Sequence, residues 1–394
     1  MAGSGKLARM ESAPEFSLVR GDFFFRLQRR LGLIPATGLG LARRALFWSL
    51  FSWLPIAAWA ALFGPGIAGA GEPLMAHFAF HARLLLAVPL LILAEAGAHK
   101  RSTRLLPAVV ESGAVPPSAL ARLQAVVAAT SRLRDATLPG IVVLGIVAAI
   151  TTTSQIVSQV HEIEWAAPAR SGGLGFGAYW YLYVGRSVFL VMLFVWIWRL
   201  VVLGVLLRRI AKLDLALVPT HPDRTGGLAL LEQVPAAFAP VVLALGVVVA
   251  ARWIHDAIYH QLAIGSIRVP MIAFVVITVV LFLLPLGAFI GPLARAKRRA
   301  LHDYGVLVAR HGRLVHQRWI EGKPTQDALL EAPEIGPVAD TAAIFQAVRA
   351  MRPVPVTAAA ILPLALAAAL PMIAVLSVYM PIKEILAKLL KAVV

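Results

Sequence analysis

The chain has 394 residues, 59% hydrophobic and 14% charged, with 37 Lys and Arg against 20 Asp and Glu and a formal charge of +17. Soluble domains carry about 25% charged residues, so a set of water-solvated domains is excluded. So is nucleic acid as the meaning of the basic balance, because cytoplasmic loops of membrane proteins collect Lys and Arg. No cysteine is present, which removes a disulfide framework, a Cys-ligated metal centre and a thiol nucleophile.

Residues 1–45 hold no apolar core of the kind a cleavable signal needs. Phe23, Phe24, Leu27 and Leu31 recur at helical spacing among Arg26, Arg29 and Arg30, which predicts an interfacial amphipathic helix. Seven stretches then follow that are apolar enough to span: 46–64, 79–98, 136–156, 178–203, 234–254, 269–292 and 356–380. A hydrocarbon core of about 30 Å takes about 20 helical residues, and lipid leaves the backbone no partner but itself. The expected fold is an all-α polytopic transmembrane helix bundle of about seven spans.

The expected organisation has four parts. Residues 1–45 form an N-terminal cytoplasmic or interfacial segment. Residues 46–292 form a six-span region with cytoplasmic loops 99–135 and 208–233. Residues 293–355 form a charged cytoplasmic helical segment, and 356–394 hold a seventh span and an amphipathic tail. Helices are expected at 117–135, at 296–320 as a continuation of the sixth span, and near 339–350. The loops on one side carry 28 Lys and Arg and those on the other carry two, Arg170 and Arg268. The positive-inside rule places the N-terminus in the cytoplasm, and the expected location is a bacterial inner membrane, multi-pass. Tyr179, Trp180, Tyr181 and Tyr183 read as an aromatic belt at the outer end of the fourth span, with Trp196 and Trp198 at its inner end. Pro363, Pro371 and Pro381 leave open a broken last helix that returns the tail inside. The alanine-rich seventh span suits close packing, and equally a pore lining or a subunit interface.

Three constellations bear on function. The first is the loop Val218-Pro219-Thr220-His221-Pro222-Asp223-Arg224-Thr225-Gly226-Gly227-Leu228. Its His-Pro-Asp also occurs in J-domain co-chaperones, but there the agreement ends at the tripeptide. The segment resembles a Thr-His-Pro-Asp-x-x-Gly-Gly-Leu pattern of uncharacterised bacterial polytopic inner-membrane proteins. That resemblance covers residues 220–228 and the general layout, and it implies no activity. The simpler reading is a rigid turn, with Asp223 as cap and Gly226 and Gly227 supplying positive φ. The functional one is a cytoplasmic gate or ligand site built on His221, Asp223 and Arg224.

The second constellation is on the outer side, where His77, His81, His161, Glu162, His255 and Asp256 are candidate metal ligands. The third is charge inside the membrane. Arg186 lies about 12 Å below the outer end of its span, a costly depth unless it faces protein or water. Arg83 and Arg252 join it to make the outer half positive. Arg199 and Glu95 sit nearer the inner boundary, where snorkelling satisfies them. No catalytic set and no cofactor are legible. The expected function is an ion channel or solute transporter, with an anion preferred. The alternatives are a membrane-embedded lipid-modifying enzyme, and a sensor or assembly component without transport. The expected partners are the lipid bilayer, a small ion or solute, and a further copy of the chain in a homo-oligomer.

Overall fold

An apolar stretch in lipid closes its own backbone hydrogen bonds, and a helix is the one way a single segment does so. The structure, a computed structural model, describes residues 14–63, 74, 77–153, 175–323 and 336–380. Those residues form helices, turns and connecting segments, with no strand among them. Seven helices are long and apolar enough to cross a membrane. The chain is a multi-pass integral membrane protein.

Helix α1 is Phe23–Arg30. The first span, α2, is Leu41–Phe63. The second, α3, runs Phe78–Glu111, well beyond the apolar stretch. Helix α4, Leu120–Asp135, leads into the third span, α5, Leu138–Thr153. The fourth, α6, is Phe176–Ile210, and the fifth, α7, Ala239–Tyr259. The sixth, α8, is Ile264–Leu283. It continues through a tighter turn into α9, Ile290–Trp319, the charged extension expected from the sequence. Helix α10 is Gly336–Ala350 and the seventh span, α11, is Ala358–Tyr379. Pro363 and Pro371 sit inside α11 without breaking it. Residues 381–394 lie outside the described residues.

Half or more of the spanning parts of α3, α6 and α7 is buried, against under a quarter of α5 and α8. The first three therefore form the centre. The outer helices turn Leu138, Ile141, Val269 and Leu366 outward, as lipid-facing helices do. On α11, Ala360, Leu364, Ala368 and Pro371 are buried, and a Cβ on Gly246 of α7 would stand 3.0 Å from the Pro371 ring. The small-residue face is used for packing inside one chain.

The connecting segments sort to two ends. At one end, Ala216 N–H donates to Ala114 O, and Arg352 N–H to Arg224 O. There too Arg26 donates to Asp135 O, and Lys297 to Met351 O. At the other end His77 stacks on His255, and the Tyr379 hydroxyl donates to Leu262 O. The segments rich in Lys and Arg thus share one end, and the last span finishes at the opposite one.

Helix α1 forms where its spacing predicts, with a different buried face. Phe24, Phe25 and Gln28 are buried, while Leu27 and Leu31 are 37% and 58% exposed. The cause is tertiary: Asp22, Gln28 and the Phe rings dock on the bundle end instead of lying on lipid.

Candidate functional site

Two charged or polar assemblies stand inside the bundle, one toward each end. The first joins Asp22, Arg44, Glu95 and Arg199, which are 1%, 0%, 2% and 1% exposed. Asp22 does two jobs. Its Oδ1 accepts the Phe25 amide at 2.7 Å and so caps α1, the type of bond an N-cap Asp makes. Its Oδ2 accepts Arg199 Nε at 2.7 Å. Arg199 Nη2 donates to Glu95 Oε1 at 2.9 Å, and Arg44 Nη1 to Glu95 Oε2 at 2.5 Å. Arg44 Nε then reaches Gln28 Oε1 at 2.7 Å, which also accepts from Trp48 Nε1 at 3.0 Å. Arg199 lies 4.6 Å above the Trp196 ring, whose Nε1 donates to Leu91 O. Two carboxylates offset two guanidiniums, which is how buried charge is tolerated.

This cluster corrects two sequence expectations. Arg199 and Glu95 do not snorkel; they are buried against each other. Trp196 is not part of an inner aromatic belt, because it is the buried floor under Arg199. Nothing in the chain flags Asp22 as their partner: it stands 177 residues from Arg199. An Asp directly before an apolar helical run is a cap signal, but not a signal of its second bond.

The second assembly is at the opposite end. Close to its start helix α3 holds a π-helical turn at Ala82–Ala87, and α6 holds one at Tyr181–Gly185. Such turns are rare inside α-helices and recur at functional sites. The two meet: a Cβ on Gly185 would lie 3.3 Å from Leu84, and Arg83 donates from Nη1 to the Tyr181 hydroxyl. The Arg83 guanidinium is also 5.8 Å and 5.9 Å from the Tyr181 and Phe189 ring centroids. Tyr181 is buried, so it leaves the expected aromatic belt and becomes a wall. Tyr179 and Tyr183 keep the exposed position and stack on each other. Beside Tyr181 is a cavity of about 190 Å³, bordered by His77, Phe80, Arg252, His255, Asp256 and His260. The His77 and His255 rings stack at 5.1 Å, and Arg252 Nε donates to Asp256 Oδ2 at 3.3 Å.

The other sequence candidates divide. His81 is drawn away from this cavity. Trp53 Nε1 donates to its Nδ1 at 3.0 Å, and its Nε2 bonds Leu74 O at 3.1 Å. Both ring nitrogens are thereby occupied. Among the described residues no group of three His, Asp or Glu is placed to hold a metal ion. His161 and Glu162 lie outside the described residues. Arg186 is half-buried, and its side chain makes no hydrogen bond or ion pair with a described residue. The hydroxyls nearby pair with each other instead, Thr151 Oγ1 with Ser187 Oγ at 3.3 Å. Arg252 is half exposed on α7.

The His221 loop is a fastened turn. Asp223 accepts the amides of Thr225 at 2.8 Å, Gly227 at 3.0 Å and Ala229 at 3.0 Å. Burial pushes its carboxyl up, but those donors outweigh it and hold it below the ordinary 3.8. His221 Nδ1 lies 2.9 Å from Asp223 Oδ1. Arg224, Gly226 and Gly227 take φ of 57°, 67° and 95°. For the glycines that conformation is free, whereas the exposed Arg224 is held in it by a 2.7 Å bond from Arg352 N–H to its carbonyl. The Arg352 guanidinium reaches Glu232, which also accepts the Thr357 hydroxyl. The motif therefore fastens the segment before α11 to the end of the bundle. Comparison with family models, with curated proteins and with solved structures gives no match.

Proposed function

We propose that the protein carries a small anionic solute across the membrane, with its outer site at the cavity beside Tyr181. The carrying observation is the pair of facing π-turns that set Arg83 against Tyr181 at the wall of that cavity. Three imidazoles and two arginines are gathered at this level of an apolar bundle, and intramembrane ionisable groups mark pathways. The cavity is smaller than the roughly 300 Å³ at which drug-sized sites begin, so it suits an ion or a solute of a few heavy atoms. Below it Leu84, Leu91, Met192 and Trp196 are buried, which supports a conformation sealed toward the Arg199 cluster. Arg83, behind the Tyr181 wall, adds positive charge to the Arg252–Asp256 pair that borders the cavity, and this favours an anion.

The same reading places the basic end, with the N-terminus and the His221 loop, in the cytoplasm. It assigns the chain to a bacterial inner membrane, on the charge asymmetry of the loops and on the Thr220–Leu228 pattern. Flux tests the transport reading. Purified chain in liposomes is expected to take up at least one of labelled chloride, acetate and phosphate. Arg83→Gln and Tyr181→Phe, checked for parental melting temperature, are expected to slow that uptake by about tenfold or more, the scale of one lost charged hydrogen bond. A chain that moves none of the three, or variants as fast as the parent, overturn the proposal.

A further inference from the structure

We infer that the cleft between the inner ends of α6 and α8–α9 is a binding site for an anionic phospholipid. This does not rest on the transport reading. The cleft has a volume of about 1000 Å³, and its floor is apolar, with Leu200, Val201, Leu281 and Leu284. Three glycines widen it. A Cβ on Gly204 would meet nothing within 4 Å, one on Gly287 only the Ile290 side chain at 3.9 Å, and one on Gly291 only Arg295 Nη1 at 3.4 Å. Toward the basic end the walls change character. Arg208, Lys212 and Arg295 line the mouth, and an adjoining cavity of about 680 Å³ shares Arg295 and adds Arg299.

Those four cations are exposed, and none makes a side-chain hydrogen bond or ion pair with a described residue. Asp214, at the same mouth, is already paired with Arg122 at 2.9 Å. Asp303, in the adjoining cavity, stands about 6 Å along α9 from Arg299 without an ion pair to it, and about 12 Å from Arg295, so it offsets Arg299 in part and leaves Arg208, Lys212 and Arg295 at the mouth. The mouth therefore carries unneutralised positive charge. It stands about 12 Å from the apolar floor along α6, two turns from Leu200 to Arg208. That is the layout of a phosphate headgroup over acyl chains: anion at the helix ends, chains in the glycine-widened groove. Basic pockets between spanning helices hold acidic lipid headgroups on the same grounds. A free phosphate would use the cations and leave the apolar floor wet, so the commitment is to the lipid.

Native mass spectrometry of the purified full chain tests this, with phosphatidylglycerol and phosphatidylcholine of identical acyl chains added to delipidated protein. The parent is expected to retain phosphatidylglycerol and release phosphatidylcholine. The triple variant Arg208→Gln, Lys212→Gln, Arg295→Gln is expected to bind phosphatidylglycerol on the order of a hundredfold more weakly, about fivefold per cation. Gly204→Phe fills the groove while leaving every cation, and it is expected to lose retention too. Its melting temperature, read in parallel, separates a blocked groove from a misfolded chain. Equal retention of both lipids, or a triple variant that binds as the parent does, overturns the inference. So does displacement of the lipid by millimolar inorganic phosphate, or undiminished retention by folded Gly204→Phe.

Discussion

Glu95 is the hinge of the buried charge cluster, because each of its oxygens takes a different arginine. A glutamine there keeps the shape but removes the charge that offsets Arg44 and Arg199. Breaking a buried pair from one side leaves a charge without compensation and costs about 3–5 kcal/mol. Glu95→Gln is therefore expected to lower the melting temperature in detergent sharply. Glu111→Gln, at the exposed end of the same helix, is expected to leave it nearly unchanged. Equal melting of Glu95→Gln and parent would show that the cluster adds no stability. The Arg44 Nη2 atom has no hydrogen-bond partner among the described residues.

Helices reach these residues through close approaches that glycine permits. Gly140, early in α5, faces the Phe23 ring so tightly that a Cβ there would lie 2.4 Å from Phe23 Cγ. Phe23 adjoins Asp22, so the packing of α1 on α5 holds the carboxylate that Arg199 uses. Gly140→Ala is expected to push α1 off its seat and destabilise the protein by about 1–3 kcal/mol, as overpacking does. Adding Phe23→Ala removes the clash and is expected to restore part of the loss. A Gly140→Ala chain that melts like the parent would sink this account of how α1 is held.

Across the whole molecule, the sorting of connecting segments to two ends is geometric, while the side each end faces is a proposal. The absence of native cysteine makes its test direct. Ala36→Cys and Ala263→Cys place single thiols at exposed positions on opposite ends. In intact bacterial cells a membrane-impermeant maleimide is expected to label Ala263→Cys at once and Ala36→Cys only after lysis. The reverse pattern would invert the orientation and move the Tyr181 cavity to the cytoplasmic side.

Much of this architecture was legible along the chain because its cause is local. Twenty apolar residues in lipid must be helix, so the seven spans follow from hydropathy alone. The turn at His221 was legible for the same reason, since Asp223, Gly226 and Gly227 act within a few residues of each other. The tertiary structure alone decided which charges meet. Asp22 joins Arg199, and Arg83 joins Tyr181 98 residues on, because helix packing brings distant positions together and depth along one span does not reveal its neighbours. It also decided that Trp196 and Tyr181 are walls and not belts, and that His81 bonds Trp53 and leaves the other histidines. One-dimensional patterning reports how a segment meets its solvent; contact between segments depends on packing, and no single segment encodes it.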